Sequence, residues 1–149
     1  MRLQWIPTDK KRFLSLLLLA DEQESMIDRY LMRGTMYAAV EGEQTFGVMV
    51  VVRQAQNVYE LKNLAVEPAH QRKGIGKWMI DELSRICRER GADTLRVGTG
   101  ESPKTLEFYQ SCGFAECGRE PDFFTKNYDH PIVEDGVTLR DMIYLEKKL

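Results

Sequence analysis

The sequence has 149 residues, of which 43% are hydrophobic and 30% are charged, and its formal net charge is −2 at pH 7. These are average values for a globular protein, and a chain of this length forms one domain with its own core. The slightly acidic balance argues against nucleic-acid binding built on bulk charge. We therefore expect a single domain covering residues 1–149.

The three cysteines, Cys87, Cys112 and Cys117, show no CxxC spacing, and only two histidines accompany them. This pattern indicates reduced thiols, two of which we expect to be buried, and no metal site. The longest apolar stretch, residues 13–20, is too short to span a bilayer, and the N-terminus lacks the cleavage pattern of a signal peptide. We expect a cytoplasmic protein that makes no membrane contact.

Hydrophobic periodicity predicts an alternation of strands and helices. A short strand at residues 2–6 precedes two helices within residues 9–33, which we expect to separate near residues 20–21. Strands at residues 36–40, 45–52 and 58–66 are separated by polar turns and predict an antiparallel meander.

The clearest helix covers residues 74–90, where Ile75, Met79, Leu83 and Ile86 recur at helical spacing. A strand at residues 94–97, a helix at 103–111, a strand from residue 114 and a closing strand at 138–145 follow. The strand at 58–66 and the strand at 94–97 flank a helix, which requires a parallel pair between them. The sequence therefore predicts an α+β fold with a mixed sheet covered by helices.

The segment QRKGIGK, residues 71–77, places two glycines and three cations at the start of the clearest helix. The first amides of a helix have no intrahelical partner and carry partial positive charge, so they attract phosphate. Gly74 and Gly76 remove the Cβ atoms that would hold an anion away from the backbone. A helix entry with solvated charges is an equally open interpretation of so short a pattern.

Two familiar phosphate loops are excluded by the residues that follow. The segment is not GxxxxGK[ST], because Trp78 follows Lys77, and it is not GxGxxG, because Met79 occupies the third glycine position. A phosphate bound here would belong to a different nucleotide-like cofactor.

The wider context resembles the GNAT superfamily of acetyl-coenzyme A-dependent N-acetyltransferases. The similarity covers the strand LAVEP at residues 64–68, the Gln/Arg-x-x-Gly-x-Gly loop at 71–76 with its helix, and Phe-Tyr-x-x-x-Gly-Phe at 108–114. The resemblance implies a mixed, mostly antiparallel sheet of about six to seven strands flanked by about four helices. It also implies acetyl transfer from acetyl-coenzyme A to a primary amine, by direct attack in a ternary complex.

The resemblance further implies which residues hold acetyl-coenzyme A. The backbone of Leu64, Ala65 and Val66 would pair with the pantetheine arm, and the loop would surround the pyrophosphate through Gln71, Arg72, Lys73, Gly74, Ile75, Gly76 and Lys77. Many relatives carry an asparagine seven residues before the tyrosine. Ser102 stands there in this chain, and its shorter side chain offers a weaker or water-bridged contact. Lys104 would either reach a cofactor phosphate or be a solvated helix lysine.

Two side chains are candidates for proton transfer. Tyr109 is in register with the tyrosine that the family uses to protonate the leaving thiolate, although packing of the helix on the sheet would also explain an aromatic residue there. A lysine-like ammonium has a pKa of about 10.4, so the acceptor needs a base. Glu60 stands where several members carry a basic glutamate; a solvent-facing glutamate, with water relaying the proton, is the alternative. His130, in the loop at residues 121–136, is a further candidate in the acceptor region.

These motifs do not identify the acetyl acceptor. The first helices and the 121–136 loop contribute aromatic and acidic residues that would suit a cationic amine with an apolar part, or would pack on the sheet or on a second subunit of a homodimer. These residues are Tyr30, Phe123, Phe124, Tyr128, Asp122, Asp129, Glu134 and Asp135. A small molecule, an amino acid derivative and a peptide all remain open as acceptors. The alternative function is a coenzyme A-binding regulatory module without turnover, but the presence of both Glu60 and Tyr109 favours an enzyme.

Overall fold

The structure, a computed structural model, describes residues 1–149 and shows a mixed α+β fold. Its strands are β1 (Arg2–Ile6), β2 (Thr35–Glu41), β3 (Gln44–Ala55), β4 (Val58–Val66), β5 (Thr94–Thr99), β6 (Ala115–Glu120), β7 (Val133–Glu134), β8 (Val137–Thr138) and β9 (Met142–Lys148). Its α-helices are α1 (Leu14–Ala20), α2 (Glu24–Ile27), α3 (Ile75–Glu89), α4 (Pro103–Ser111) and α5 (Phe123–Asn127). Short 3₁₀ turns cover Lys10–Phe13 and Pro68–His70.

Seven of the strands form one sheet in the order β1-β2-β3-β4-β5-β9-β6, and β7 and β8 form a separate hairpin. All neighbours in the large sheet are antiparallel except β4 and β5, which are parallel and are joined through α3. The predicted mixed, mostly antiparallel sheet is confirmed.

The sheet divides the core into two layers. The larger cluster has 20 buried residues, and α3 contributes Ile75, Met79, Ile80 and Leu83 to it. The smaller cluster has 12, with Leu17 from α1 and Ile27 from α2. Helix α3 is the element in which spacing and burial agree most closely, and Gly91 (φ +87°), just past its end, supplies the left-handed conformation that terminates a helix.

The parallel pair of β4 and β5 is short. It begins at Val58 opposite Thr94 and ends at Leu61 opposite Val97, whereas β4 continues to Val66. Lys62 is the extra residue of a β-bulge, because the β3 partners pass from Leu61 directly to Asn63. The strands separate beyond this point, and the β4 edge at residues 62–66 has no strand neighbour on the β5 side.

Two expectations about the C-terminal third were wrong in detail. The closing strand was expected at residues 138–145, but it is β9 at Met142–Lys148, and Thr138 belongs to the β7–β8 hairpin. The expected loop at 121–136 contains α5 and half of that hairpin, whose turn uses Asp135 (φ +49°) and Gly136 (φ +77°). An Asp-Gly pair is the typical two-residue hairpin turn, so the signal was present in the sequence.

The cysteines are placed as predicted: Cys87 and Cys112 are buried and Cys117 is exposed, all as free thiols. No helix combines the length and the apolar character that a membrane crossing requires. No group of three or more His, Cys, Asp or Glu side chains is arranged to hold a metal ion.

Candidate active site

A cavity of about 330 Å³ lies where β4 and β5 separate. Leu61, Asn63 and Leu64 line it from β4, and residues 97–100 line it from β5 and the chain beyond. Tyr109 on α4 closes it on one side of the sheet, and residues 19–22 after α1 close it on the other. The cavity therefore passes between the strands and is open to groups from both layers.

The loop before α3 carries a continuous row of unpaired backbone donors. None of the six amides from Arg72 to Lys77 donates a hydrogen bond within the protein, and the first amide of this helix to do so is that of Trp78, to the Gly74 carbonyl at 3.0 Å. The side chains of Arg72, Lys73 and Lys77 form no ion pair with a carboxylate. Unpaired amides at the start of a 15-residue helix, surrounded by free cations, make an anion site.

The two glycines of this loop have different structural roles. Gly74 (φ +82°) is the N-cap of α3 and takes a left-handed conformation that L-residues rarely adopt, with nothing within 4 Å of a Cβ built there. A Cβ on Gly76 would lie 3.1 Å from Phe108 Cζ. Gly76 therefore allows α3 to approach α4 closely, so its missing side chain serves packing between the helices.

Gln71 ties this loop to the end of β4. Its Nε2 donates to the Val66 carbonyl at 3.0 Å, so the side chain is engaged within the protein. The contact joins the row of unpaired amides to the end of the β4 edge, where it occupies the Val66 carbonyl. The loop residues and Leu64–Val66, expected from the sequence to hold one ligand, therefore lie along one continuous path.

Tyr109 combines burial with access to the cavity. Its side chain is 8% exposed, and its ring packs edge-on against Phe108 and Phe114 with centroids 5.1 and 5.5 Å away. Burial raises the pKa of the phenol, with smaller contributions from Cys112 and Glu134, so the hydroxyl keeps its proton at every physiological pH. The hydroxyl has no hydrogen-bond partner in the protein, which leaves its proton available to a ligand.

Glu60 lies on the α1–α2 side of the sheet and is held by two cations. Lys62 Nζ donates to its Oε2 at 2.7 Å, and Arg96 Nε lies 3.8 Å from its Oε1. Its side chain is 8% exposed, and it lines a smaller cavity beside the main one rather than the main cavity itself. The sequence does not show that this carboxylate is paired with Lys62.

Asp21, which the sequence analysis did not single out, is an acid of the main cavity that two tyrosines hold in place. Tyr30 donates to one of its oxygens at 3.0 Å and Tyr128 donates to the other at 2.6 Å. Burial raises the pKa of this carboxyl, and the two tyrosine hydrogen bonds partly offset the rise. Tyr128 is 107 residues away along the chain, so no spacing rule could have brought these groups together.

Asn63 extends this cluster. Its Nδ2 donates to the Leu17 carbonyl at 3.0 Å and to the Tyr30 hydroxyl at 3.1 Å, which fixes the orientation of the amide. Its Oδ1 is buried and has no partner. A buried acceptor without a donor is costly, and this one belongs to a residue that lines the main cavity.

Ser102 and Lys104 contact the β7–β8 hairpin. Ser102 is fully buried, and its hydroxyl lies 3.3 Å from Asp135 Oδ2, while Lys104 Nζ lies 3.8 Å from Asp135 Oδ1. Thr105 donates to Glu134 in the same hairpin. Neither Ser102 nor Lys104 lines the main cavity, so the structure brings these two residues to the hairpin and leaves them outside the cavity wall.

The acceptor residues expected from the sequence divide into two groups. Phe124, Tyr128 and Glu134 line the main cavity, and the other five, Tyr30, Phe123, Asp122, Asp129 and Asp135, do not. His130 is on the surface, with Nδ1 2.6 Å from Asp129 and Nε2 2.9 Å from Glu22, and these hydrogen bonds raise its pKa.

The split strand pair, the row of unpaired helix amides and the buried Tyr109 together form an arrangement that can hold a phosphate-bearing ligand beside the cavity. Comparison with known proteins agrees. The family model of the acetyltransferase (GNAT) domain matches residues 32–116. The uncharacterized N-acetyltransferase YvbK of Bacillus subtilis is 40% identical over 131 residues, which cover 87% of this chain and 84% of that protein.

Two solved structures are similar over nearly the whole chain. An IAA acetyltransferase from Bacillus cereus superposes with a TM-score of 0.92 at 38% identity, covering 99% of both chains. A Bacillus subtilis acetyltransferase in complex with CoA superposes with a TM-score of 0.91 at 36% identity, covering 99% of this chain and 98% of that one. The chain belongs to the GNAT family and is an acetyl-coenzyme A-dependent acyltransferase.

Proposed function

We propose that the protein transfers the acetyl group of acetyl-coenzyme A to a primary amine bound in the 330 Å³ cavity, by direct attack in a ternary complex. One observation carries the proposal. The six unpaired amides of Arg72–Lys77 and the unpaired β4 edge lead along one path to the buried hydroxyl of Tyr109. A donor with a pyrophosphate at one end and a thioester at the other fits that path.

The residues present fit acetyl-coenzyme A at both ends. The loop amides and the side chains of Arg72, Lys73 and Lys77 would hold the pyrophosphate. The backbone of Leu64, Ala65 and Val66 has no strand neighbour on the β5 side and would pair with the amide groups of the pantetheine arm. Buried backbone groups are normally paired, so an unpaired strand edge beside a cavity supports a ligand that pairs with it.

Tyr109 would donate its proton to the leaving thiolate. A thiol of this kind has a pKa near that of cysteine, about 8.5. Burial raises the pKa of the Tyr109 phenol, so the protonated hydroxyl is always present to hydrogen-bond the sulfur, and its proton moves as the thiolate leaves. The backbone amide of Leu64 or Ala65 would stabilise the negative charge that develops on the acetyl oxygen.

Glu60 would take the proton of the acceptor ammonium. Because Lys62 occupies one of its oxygens and the side chain faces the smaller cavity, the proton would reach it through water. Glu60 then acts as the final proton acceptor of a water relay. This combines the two alternatives that the sequence left open, Glu60 as the base and transfer through water.

The acceptor proposed is a small molecule, an amino acid derivative or a peptide terminus with a free amine. A screen of amines, amino acids and peptides with acetyl-coenzyme A, read by thiol release and by the mass of the products, tests the function. IAA is added to the screen, because the Bacillus cereus relative is named an IAA acetyltransferase. Binding of acetyl-coenzyme A without thiol release on any acceptor would favour the regulatory module instead.

The ternary complex has its own test. Initial rates measured against both substrates should give intersecting lines, and the mass of the protein should not change after mixing with acetyl-coenzyme A alone. An increase in protein mass by one acetyl group, turned over when the amine is added, would contradict direct attack.

A further inference from the structure

A second cavity of about 180 Å³ adjoins the first on the α1–α2 side of the sheet. The two cavities share a wall to which Asp21, Lys62, Tyr128 and Met142 contribute side chains. Met26 and Phe123 supply apolar surface to the smaller cavity. A ligand that enters the main cavity from this side would therefore place its remote part in the smaller one.

The smaller cavity is lined by two guanidinium groups that have no carboxylate partner. Arg29 Nη1 donates to Asn127 Oδ1 at 3.1 Å, and Arg33 Nε donates to the Arg29 carbonyl at 3.1 Å. Both acceptors are neutral, and neither arginine forms an ion pair. A guanidinium has five N–H donors, so most of the donors on each side chain are free.

Charge differs between the two cavities. The smaller one is lined by three cations, Arg29, Arg33 and Lys62, and by two carboxylates, Asp21 and Glu60. The Lys62 charge is already matched by Glu60, 2.7 Å away. The main cavity is lined by three carboxylates, Asp21, Glu22 and Glu134, with Lys62 as the one cation among its lining residues. The pair of cavities therefore presents a negative end and a positive end to one ligand.

The main cavity, which is the negative end, can bind the amine of the ligand. Asp21 is held in place by two tyrosine hydroxyls, and the unpaired Oδ1 of Asn63 belongs to the same hydrogen-bonded cluster. Carboxylate and amide oxygens accept the hydrogen bonds that an amine donates. An ammonium in the main cavity would be oriented by this cluster while it loses its proton.

We propose that the acceptor carries an anionic group in addition to its amine, with the amine beside Asp21 in the main cavity and a carboxylate beside Arg29 and Arg33 in the smaller one. The substrate class is an amino acid or another small amine that bears a carboxylate. This inference rests on the proposed acetyl transfer and names the acceptor of that same site. Guanidinium groups match the two oxygens of a carboxylate in geometry as well as charge.

The test compares each proteinogenic amino acid with its own carboxamide as the acceptor, using thiol release from acetyl-coenzyme A. Rates are referred to the unprotonated amine, because removal of the carboxylate lowers the pKa of the amine. We expect at least one free acid to exceed its carboxamide by about tenfold or more in kcat/KM, the range of a charge-assisted hydrogen bond. Carboxamides acetylated as well as every acid would overturn the inference while leaving acetyl transfer established.

Substitutions of Arg29 and Arg33 test where the carboxylate of the acceptor binds. Arg29→Gln, Arg33→Gln and the double variant should raise KM for the acid by about tenfold with little change in kcat, and should leave KM for the carboxamide unchanged. Arg88→Gln, which removes an exposed arginine of α3 outside both cavities, is the matched control and should change neither. Equal effects on acid and carboxamide would show that the arginines do not bind the carboxylate.

A binding measurement tests whether amino acids occupy the site even if none of them is acetylated. Saturation-transfer NMR of the same amino acids with the coenzyme A-loaded protein should show contacts that weaken in the double variant. Absence of binding by every acid, together with acetylation of amines that lack a carboxylate, would overturn the inference. Absence of thiol release on any amine would reject the proposed function instead, and the NMR result would still decide whether an acid binds.

Discussion

Leu61 lies opposite Val97 in the last parallel pair between β4 and β5, and the strands separate immediately beyond it. The bulge at Lys62, in the pairing of β4 with β3, directly follows this end, and a bulge increases the local twist of the strand. One break in a ladder therefore creates both the cavity and the free strand edge that the proposed mechanism needs.

Replacement of Tyr109 by phenylalanine should lower kcat by about 10²-fold, since general acids typically contribute at least that much. The ring packing against Phe108 and Phe114 remains, so affinity for coenzyme A and the melting temperature should change little. Tyr59→Phe, which removes the hydroxyl of another buried tyrosine in the same core cluster, is the control for stability. Steady-state kinetics and calorimetric titration measure both effects, and unchanged kcat would reject Tyr109 as the acid.

Replacement of Gly74 by aspartate should abolish binding of acetyl-coenzyme A, because it places a negative charge beside the unpaired amides. We expect affinity to fall by at least about 100-fold. Gly42→Asp is a matched control, since Gly42 (φ +60°) is also left-handed with nothing within 4 Å of its missing Cβ. Both variants should lose about 1 kcal/mol of stability from backbone strain, and only the Gly74 variant should lose binding. Equal affinities in calorimetric titration would show that the loop is only a charged helix entry.

Gly76→Asp should act by a different route. Its Cβ would meet Phe108 Cζ at 3.1 Å, so the Phe108 ring of α4 must give way by a few tenths of an ångström. We expect lower thermal stability as well as lower cofactor affinity, in contrast to a loss confined to binding. A melting curve identical to that of the unmodified protein would contradict the close packing of α3 on α4.

Replacement of Glu60 by glutamine should lower kcat by about 10²-fold at pH 7. The loss should become smaller towards pH 10, because an amine with a pKa of about 10.4 then deprotonates without help. Glu89→Gln, which also breaks an ion pair with an arginine but on the exposed face of α3, should have no effect at any pH. A pH–rate profile that shows the same fold loss throughout would mean that Glu60 serves only as the partner of Lys62.

The stability contributed by His130 should depend on pH. Hydrogen bonds to Asp129 and Glu22 raise its pKa above the unfolded value of about 6.5, so the protonated form binds more favourably in the folded protein. The contribution is complete below pH 6.5 and is lost as pH rises through the raised pKa. The melting temperature of His130→Gln should therefore fall below that of the unmodified protein at pH 5.5 and equal it at pH 9. A constant difference across this range would contradict the ion pairs.

Local signals predicted some parts of this structure well. Helix α3 was expected at residues 74–90 and lies at Ile75–Glu89, because its apolar spacing and both flanking glycines agree. Strand β4 was expected at the residues it occupies, Val58–Val66. The prediction of the closing strand at residues 138–145 was wrong, because Thr138 belongs to the β7–β8 hairpin, whose turn is the Asp-Gly pair at 135–136.

The site could be predicted only where it depends on backbone or on a recognisable motif. The loop amides and Tyr109 belong to the motif, and their role in the site stays a prediction. The pairing of Asp21 with Tyr128 and the pairing of Glu60 with Arg96 join residues that are distant in sequence. Contacts of that kind depend on how the layers pack, and no single stretch of sequence contains them.

The most direct test of the account follows the backbone amides themselves. Coenzyme A is titrated into ¹⁵N-labelled protein, and the chemical shift of each amide is recorded. We predict that the largest changes fall on the amides of Arg72–Lys77, which donate no hydrogen bond within the protein, and on the β4 edge at Leu64–Val66, which has no strand neighbour on the β5 side. Saturation with coenzyme A without change at these amides would contradict the assignment of the loop and the strand edge as the cofactor site.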